Sequence, residues 1–456
     1  MKIALFVHCF YPEHYFGTEK YTLDLALHLK GMGHDVVVVT ARNEGEKGLA
    51  EVVTTYHYRD LLVYIIDKNF VPMKRIRDKY YQPEMREILR GILIDIAPDI
   101  VHVTHIHNHS AVLLEVVREM SIPCVATLTD FFGICHTSHL RTAAGKMCDG
   151  PNARRTNCLS CNMARAAAML PMSGVLRKYA AREPMSTVLA TSISYVTRLA
   201  RYKNEWMSEF VQDVTGMAGL MMTLYRVYGG IIAPTRFLKN AYVSNGLAGE
   251  VRISHFGVDI SRDAKPEPTQ GAPLRFAYIG QLLEHKGVDI LVDAFCALPA
   301  GSAELEIYGK EEQHPSFTEA LREKARGHAI TFRGTFPPDL MSDVLKEIDF
   351  VVIPSRWYEN SPLVLLNSLA SHTPVIISNA AGMTEFVEEG RNGYIFKMGS
   401  VSDLLRVMKS IVAQPEEARR LAATTHYDRT TASMTEDVVA LYSDVLNASA
   451  SKVLAK

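Results

Sequence analysis

The sequence has few of the features that mark several common protein classes. It contains seven Cys and two Trp among 456 residues, and an odd number of Cys in a long chain argues against a disulfide-based secreted domain. Lys and Arg number 49 against 50 Asp and Glu, so no global positive charge indicates a nucleic-acid partner. No apolar run approaches the ~20 residues that cross a bilayer, and no secretory signal precedes the first apolar run. These absences predict a cytoplasmic protein.

Several nucleotide-binding and metal-binding fingerprints are also missing. A dinucleotide-binding domain carries G-x-G-x-x-G directly after its first strand, but this chain reads HCFYP at residues 8–12. No G-x-x-x-x-G-K-[ST] phosphate loop occurs, and neither does Asp-x-Asp, the metal-binding motif of many sugar transferases. Dinucleotide redox chemistry and P-loop ATPase activity are therefore disfavoured.

What the chain does contain is a repeated alternation of β-branched runs with segments of helical period. This pattern is typical of parallel sheets joined by helical crossovers. We predict an α/β fold of two doubly wound Rossmann-like domains facing a cleft, with a Cys-rich and helical insertion in the first domain. The predicted segments are an acceptor-side domain at 1–256 with its insertion at about 130–230, a Pro/Gly-rich linker at 257–273, a nucleotide-sugar domain at 274–420 and C-terminal helices at 421–456.

Two segments of the second domain have the composition of anion-binding loops. GQLLEHKG at residues 280–287 lies between a strand and a helix, where glycines, free helix amides and Lys286 suit a phosphate; an ordinary loop with a solvated Lys is the alternative. PSRWYENSP at residues 354–362 leads into a helix, with Ser361 as a candidate N-cap and Pro362 at the first helical position. Glu359 is then either a functional carboxylate or simply an acid favoured by the helix dipole.

The second half resembles the retaining family 4 glycosyltransferases of the GT-B fold. Five segments match in order: IGQLLEHKGVDIL, ELEIYGK, ITFRGTF, IPSRWYENSPLVLLNSLASHTPVIIS and AGMTEFVEEGRNGYIF. In the first half the resemblance lies in FGTEKYTLDLALHLKGMGHDVVVVT and DIVHVTHIHNHS. It implies transfer of a sugar from a nucleotide-diphosphate sugar to a hydroxyl of a glycan or lipid-linked acceptor, as in polysaccharide, lipopolysaccharide or glycolipid synthesis.

The resemblance also implies roles for individual residues. Lys286 would hold the donor diphosphate, and Glu359 would hold hydroxyls of the transferred sugar. Asp130 or His105 would orient the acceptor hydroxyl, with no catalytic metal expected. The remaining donor-site residues would be Gly17, Thr18, Gly280, Gln281, Arg333, Gly334, Thr335, Ser361, Leu363, Val364 and Asn367.

Three positions depart from the pattern of that family. Gln281 stands where the family has a phosphate-contacting Arg, Asn367 replaces its second Glu, and Thr129 replaces its usual active-site His. Two charges and an imidazole are therefore lost. A catalytically silent sugar-nucleotide-binding homologue that acts as a scaffold is the alternative function.

Four cysteines in the insertion suggest a structural metal site. Cys135, Cys148, Cys158 and Cys161 are separated by twelve, nine and two residues, and four thiolates suffice for tetrahedral zinc. A zinc site would make this segment an interaction module, whereas iron–sulfur ligation or reduced thiols are the alternatives. The four His between residues 102 and 109 are a weaker metal candidate, because alternate residues of a strand face opposite sides.

The insertion is also strongly basic. Residues 154–203 hold nine Lys or Arg against the single acid Glu183, and an apolar, Met-rich stretch follows. Basic residues beside apolar helix faces suggest peripheral contact with an anionic membrane surface, and such contact would favour a lipid-linked acceptor. A solvated charged face on a helical hairpin is the alternative.

Overall fold

The computed structural model describes residues 1–169, 183–197, 205–263, 265 and 271–454, and it divides into two compact units. Unit 1 contains Met1–Ser254 and Met434–Lys456, and unit 2 contains His255–Ser433. The C-terminal segment therefore returns to unit 1, a connection that the sequence interpretation did not include. Residues 264 and 266–270 of the predicted linker lie outside the described residues, and the predicted domain ranges stay a prediction.

Unit 1 is built on an eight-stranded sheet. Neighbouring strands follow the order β3-β4-β2-β1-β5-β6-β7-β8, and each pair is parallel except β3 with β4. The inner strands are buried on both faces, as continuous Val and Ile runs predict. The antiparallel edge strand β3 (VTTYHY) is half exposed and was not predicted. The strands are β1 (Lys2–Phe6), β2 (Asp35–Arg42), β3 (Val53–Tyr58), β4 (Leu61–Asp67), β5 (Ile100–Val103), β6 (Cys124–Thr127), β7 (Gly230–Ala233) and β8 (Val251–Ile253).

Helices connect these strands, and three of them form the insertion after β6. Leu159, Ala190, Val211 and Val214 give the insertion a small apolar core of its own. Among the described residues, none of the helices combines the length and apolarity that a membrane crossing requires. The helices up to β8 are α1 (Gly17–Gly31), α2 (Met85–Ile96), α3 (Val112–Glu119), α4 (Thr156–Met169), α5 (Glu183–Val196), α6 (Glu205–Leu224) and α7 (Arg236–Ser244).

Unit 2 is a six-stranded, fully parallel sheet in the order β11-β10-β9-β12-β13-β14. Apolar cores cover both of its faces. The strands are β9 (Leu274–Ile279), β10 (Ala303–Tyr308), β11 (Ile330–Gly334), β12 (Phe350–Ile353), β13 (Val375–Ser378) and β14 (Gly393–Phe396). The helices are α8 (Val288–Cys296), α9 (Pro315–Ala325), α10 (Met341–Lys346), α11 (Leu363–Ala370), α12 (Val401–Ala413) and α13 (Pro415–Thr424). The long terminal helix α14 (Thr431–Leu454) begins at the end of unit 2 and continues in unit 1.

The strand order of unit 2 brings two sequence motifs together. β9 pairs with β10 on one side and with β12 on the other, so the chain direction across the sheet reverses between β9 and β12. Ligands of doubly wound sheets bind at the carboxyl ends of the strands at such a reversal. The loop at 280–287 leaves β9 there, and the loop at 354–362 leaves β12 beside it.

Helix α14 is attached to the sheet of unit 1 through a buried polar network. His102 of β5 has its Nδ1 2.7 Å from the Tyr442 hydroxyl and its Nε2 2.9 Å from the Thr127 hydroxyl, which also contacts the hydroxyl of Tyr21. Burial lowers the pKa of His102 to about 3, so its imidazole is neutral at pH 7. Both ring nitrogens are satisfied only when α14 is in place.

We predict that Tyr442→Phe destabilises unit 1 selectively, because the substitution leaves a buried ring nitrogen of His102 without its partner. The free energy of unfolding of unit 1 should fall by about 1–3 kcal/mol. The rate of hydrogen exchange in peptides from β5 and β6 measures this loss. The matched control is Tyr195→Phe, which removes a hydroxyl from a side chain that is 70% exposed and should leave exchange unchanged. Equal exchange in the two variants would contradict this assignment.

Candidate active site

The central feature of unit 2 is an ion pair between the two motif loops. Lys286 Nζ lies 2.7 Å from Glu359 Oε1, and the side chains are 22% and 9% exposed, respectively. Charges that are buried to this extent are stable only when they are paired and hydrogen-bonded. The structure thus brings together the two residues for which the family resemblance implies the main donor-site roles.

Glu359 has two further donors that the sequence interpretation missed. The Ser355 hydroxyl donates to Oε1 over 2.6 Å, and the Trp357 indole Nε1 donates to the same oxygen over 2.7 Å. Burial alone would raise the pKa of Glu359, but Lys286 and these hydrogen bonds together hold the pKa below its usual value. Glu359 is therefore a carboxylate at neutral pH.

Close backbone contacts hold the two loops against their surroundings. A Cβ on Gly287 would lie 2.0 Å from the carbonyl oxygen of Pro354, and one on Gly382 would lie 1.7 Å from that of Glu359. Both glycines also have positive φ, at +74° and +94°, which favours glycine. The Arg356 amide donates to the His285 carbonyl over 2.8 Å, so the loops are hydrogen-bonded to each other as well.

The start of α11 differs from the sequence prediction. The helix begins at Leu363 with Pro362 as its N-cap and no capping side chain, whereas we predicted Ser361 as the cap. Ser361 has φ +83° and is 5% exposed, and its hydroxyl has no hydrogen-bond partner. The first helical bond runs from the Leu365 amide to Pro362, so the amides of Leu363 and Val364 precede the regular helical bonding. This end of the helix therefore has the donors that suit an anion.

The other predicted donor-site residues of unit 2 lie along the carboxyl ends of neighbouring strands. A Cβ on Gly309 would lie only 2.4 Å from the carbonyl oxygen of Gly280. The Gly309 amide donates to the carbonyl oxygen of Gly334 over 2.9 Å. Arg333, which precedes Gly334 and Thr335, is half exposed and paired with Glu306 at 2.6 Å. Gln281 follows Gly280, and Asn367 lies within α11.

In unit 1, Gly17 and Thr18 occupy the first turn of α1, as predicted for a helix start near Thr18. The next residue, Glu19, is 3% exposed, and its carboxylate lies 3.4 Å from Nε2 of His8. Burial raises the pKa of Glu19 and lowers the pKa of His8. This buried pair was not predicted, because only the folded chain brings His8, which follows β1, against Glu19 of α1.

Asp130 and His105 form the second polar pair of unit 1. His105 Nε2 donates to Asp130 Oδ2 over 2.9 Å, while the His107 amide donates to His105 Nδ1 over 3.2 Å. Nε2 is thus the ring nitrogen that faces the carboxylate. Burial would raise the pKa of Asp130, but His105 and hydrogen bonds from the Phe132 amide and Ser138 hold it below its usual value. Asp130 is therefore a carboxylate that His105 holds by a hydrogen bond.

A small recess of about 20 Å³ opens beside this pair. The side chain of Asp130 is 28% exposed, so the carboxylate is within reach of a ligand. The Tyr242 hydroxyl donates to the Asp130 carbonyl over 3.0 Å and fixes the backbone of the loop. The polar lining of the recess includes His105, Asp130, Thr129, Tyr225, Tyr228 and Tyr242.

The predicted zinc site at Cys135, Cys148, Cys158 and Cys161 stays a prediction. In the part of the chain that is described, no group of three or more His, Cys, Asp or Glu is arranged to hold a metal ion. Cys135 Sγ lies 3.3 Å from the Thr137 hydroxyl, and Cys148 Sγ accepts from the Gly150 amide. Burial and the nearby thiols of Cys135, Cys148 and Cys161 raise the pKa of Cys158 to about 12, so the four thiols lie within electrostatic range of one another.

The predicted basic surface of the insertion falls largely on residues outside the described part of the chain. Of its nine cationic residues, Arg154, Arg155 and Arg165 are described, and the six at 177, 178, 182, 198, 201 and 203 are not. The described helices expose Val188, Tyr195 and Trp206, each by about two thirds.

Comparison with known families assigns both halves of the chain to sugar-transferring enzymes. Residues 259–426 match the family model "Glycosyl transferases group 1", and residues 16–148 match "Glycosyltransferase Family 4". A glycogen synthase of Mycobacterium tuberculosis is 31% identical over 184 residues, which are 39% of this chain and 43% of that protein. The lipopolysaccharide core biosynthesis glycosyltransferase LpsE of Rhizobium meliloti is 25% identical over 254 residues, or 55% of this chain and 72% of LpsE. The chain thus spans less than half of the glycogen synthase.

Comparison with solved structures supports the same fold. The Anabaena protein Alr3699/HepE, solved in complex with UDP and glucose, superposes with a TM-score of 0.61 at 14% identity. The match covers 97% of this chain and all of that one. At this identity the likeness shows the two-domain architecture alone.

We predict that Lys286→Met destabilises unit 2 more at pH 8 than at pH 5. In the unaltered protein the pKa of Glu359 is depressed, so the carboxylate stabilises the fold above its unfolded pKa and this contribution is lost as the pH falls. Without Lys286, burial should raise the pKa of Glu359, so stability should be lost as the pH rises. Removing one partner of a buried pair costs roughly 3–5 kcal/mol.

Calorimetric unfolding at pH 5 and pH 8 measures this effect. Lys324→Met is the matched control, because Lys324 pairs with Asp293 at 2.6 Å but the two side chains are 47% and 38% exposed. That pair should contribute only about 0–1 kcal/mol at either pH. A deficit for Lys286→Met that does not change with pH would show that Glu359 is not held ionised by Lys286.

Proposed function

We propose that this chain, which belongs to the glycosyltransferases of the GT-B fold, transfers a sugar with retention of anomeric configuration. The donor is a nucleotide-diphosphate sugar, and the acceptor is a hydroxyl of a glycan or lipid-linked molecule. The observation that carries this proposal is the buried Lys286–Glu359 pair beside the start of α11.

The donor would bind to unit 2 through two kinds of contact. The amides of Leu363 and Val364 and the unpartnered hydroxyl of Ser361 would donate to a phosphate, which the positive end of α11 favours. Lys286 supplies a full positive charge for the diphosphate. Glu359, ionised and held through Oε1, presents its carboxylate to hydroxyls of the sugar.

These groups address the difficult part of the reaction. Sugar transfer requires stabilisation of a departing diphosphate and of a sugar that becomes cationic. A preorganised ammonium group and helix amides stabilise the negative charge that develops on the leaving group, while the carboxylate of Glu359 favours the positive charge on the sugar. Because these groups are already held by hydrogen bonds and close packing, they need little reorganisation during the reaction.

Unit 1 would supply the groups that act on the acceptor. Asp130 is ionised and reachable, and a hydrogen bond from His105 holds it in place. The carboxylate can accept a hydrogen bond from an acceptor hydroxyl and thereby orient the attacking oxygen. In a retaining reaction that oxygen attacks from the face that the phosphate leaves, and the phosphate takes the proton.

The comparisons guide the choice of donor and acceptor. UDP and glucose occupy a protein of the same architecture, so UDP-sugars are the first donors to test. LpsE acts in lipopolysaccharide core synthesis, which supports a glycan or lipid-linked acceptor. The cationic composition of the insertion supports peripheral contact with an anionic membrane, where such acceptors reside.

We predict that one member of a panel of UDP-, GDP-, ADP- and dTDP-sugars stabilises the protein and releases its nucleoside diphosphate. A donor at 100 times its Kd should add about 2.7 kcal/mol of stability, measured as a thermal shift.

Lys286→Ala should lose binding and turnover, and Glu359→Ala should lose roughly 10²-fold in turnover. Asp130→Asn should keep donor binding and lose transfer. Lys324→Ala serves as the surface control.

Two outcomes of this screen would contradict the proposal in different ways. Stabilisation by a sugar nucleotide without turnover on any acceptor would favour the silent binder that Gln281, Asn367 and Thr129 suggest. No stabilisation by any donor would remove the basis for a nucleotide-sugar site in unit 2.

We further predict that the product has the anomeric configuration of the donor sugar. Proton NMR of the anomeric signal, recorded during turnover of an α-linked donor, measures the configuration directly. An initial product with the β configuration would refute retention but would leave the sugar-transfer assignment intact.

A further inference from the structure

Trp357 contacts both charged groups of the candidate donor site. Its indole Nε1 donates to Glu359 Oε1 over 2.7 Å, and Lys286 Nζ lies 4.8 Å from the centre of its ring. The ring of His285 packs on it at 4.1 Å between centroids. One side chain thus touches an anion with its edge and a cation with its face.

This arrangement matches the charge distribution of an indole. The edge of the ring is positive and carries the N–H donor, whereas the face is negative and attracts an ammonium group. Trp357 can therefore stabilise the carboxylate and the ammonium at the same time. A phenyl ring in its place would keep the contact of the ring face with the ammonium group and lose the hydrogen bond to the carboxylate.

The hydrogen bonds of Glu359 are unevenly divided between its two oxygens. Oε1 accepts from Lys286, Ser355 and Trp357, at 2.7, 2.6 and 2.7 Å. Among the described residues, none donates a hydrogen bond to Oε2. A carboxylate oxygen has about two lone pairs, so three donors fill Oε1, and Oε2 is the atom that is open to a ligand hydroxyl.

We infer that Trp357 is a positioning residue of the donor site: it fixes Glu359 so that Oε2 accepts from the donor sugar, and it places the ammonium group of Lys286 for the diphosphate. The inference rests on the proposed function for its ligand. Its geometric part concerns the protein alone and can be tested without a donor.

The chain contains two Trp, and this makes a spectroscopic test direct. Trp206→Phe removes the other one, which is 68% exposed on α6, and leaves Trp357 as the only indole. In this background, Glu359→Gln and Lys286→Met should each shift the emission maximum of Trp357, because each changes a charge in contact with the ring. Glu311→Gln breaks the Glu311–Arg322 pair of the same unit and should cause no shift. Identical emission in all these proteins would overturn the inference.

A kinetic test separates positioning from packing. Trp357→Phe should leave the Kd for UDP, measured by calorimetry, within about twofold, because UDP lacks the transferred sugar that Glu359 would hold. Turnover of the accepted sugar nucleotide should fall about tenfold or more, as expected for loss of a hydrogen bond to a charged group. Trp357→Leu removes the ring face as well and should also weaken UDP binding. Equal losses of UDP affinity and turnover in both variants, or no loss of turnover, would overturn the inference.

The pH profile gives a further readout. The titratable groups around Glu359 are Lys286 at its carboxylate, His285 across the indole ring and the buried Tyr278, whose pKa burial and Glu359 raise. Removing the indole donor should raise the pKa of Glu359, so the acid limb of turnover should move to higher pH in Trp357→Phe. An unmoved acid limb would count against the inference. If the unaltered protein turns over no sugar nucleotide, the proposed function fails, and the emission comparison alone decides the positioning role.

Discussion

The structure of the candidate donor site depends on one buried ion pair. Lys286 and Glu359 come from two loops that are 73 residues apart in the chain, and they meet because β9 and β12 are neighbours in the sheet of unit 2. Two charges can be buried here because Ser355 and Trp357 add donors to the carboxylate. Gly287 and Gly382 allow the backbone to approach closely enough to hold both loops.

The polar pair of unit 1 has a different electrostatic character. His105 holds Asp130 through a hydrogen bond from Nε2, and the pKa of Asp130 lies below its usual value, so this carboxylate keeps its negative charge. Unit 2 therefore offers positive charge and amides to an anion, whereas unit 1 offers a carboxylate to a hydroxyl. This division is the physical basis for assigning the donor to unit 2 and the acceptor to unit 1 in our proposal.

The insertion shows how far residue spacing alone can support an assignment. The four cysteines have counts and intervals that suit zinc, and a metal site requires deprotonated ligands at a common centre. The thiols of Cys135, Cys148 and Cys161 act electrostatically on Cys158, and the zinc site stays a prediction. In contrast, the glycosyltransferase resemblance rested on an ordered series of motifs, and the family comparisons confirm it.

The amino-acid sequence by itself determined the alternation of strands and helices, the two parallel sheets and the loops that carry Lys286 and Glu359. These features follow from local composition and hydrophobic period, which act over a few residues. Only the tertiary structure decided that Trp357 and Ser355 share one oxygen of Glu359, that Ser361 leaves its hydroxyl unpartnered, and that the terminal helix α14 returns to unit 1 through Tyr442. Such contacts depend on hydrogen-bond geometry between distant segments, with 340 residues separating His102 from Tyr442, and no local pattern encodes them.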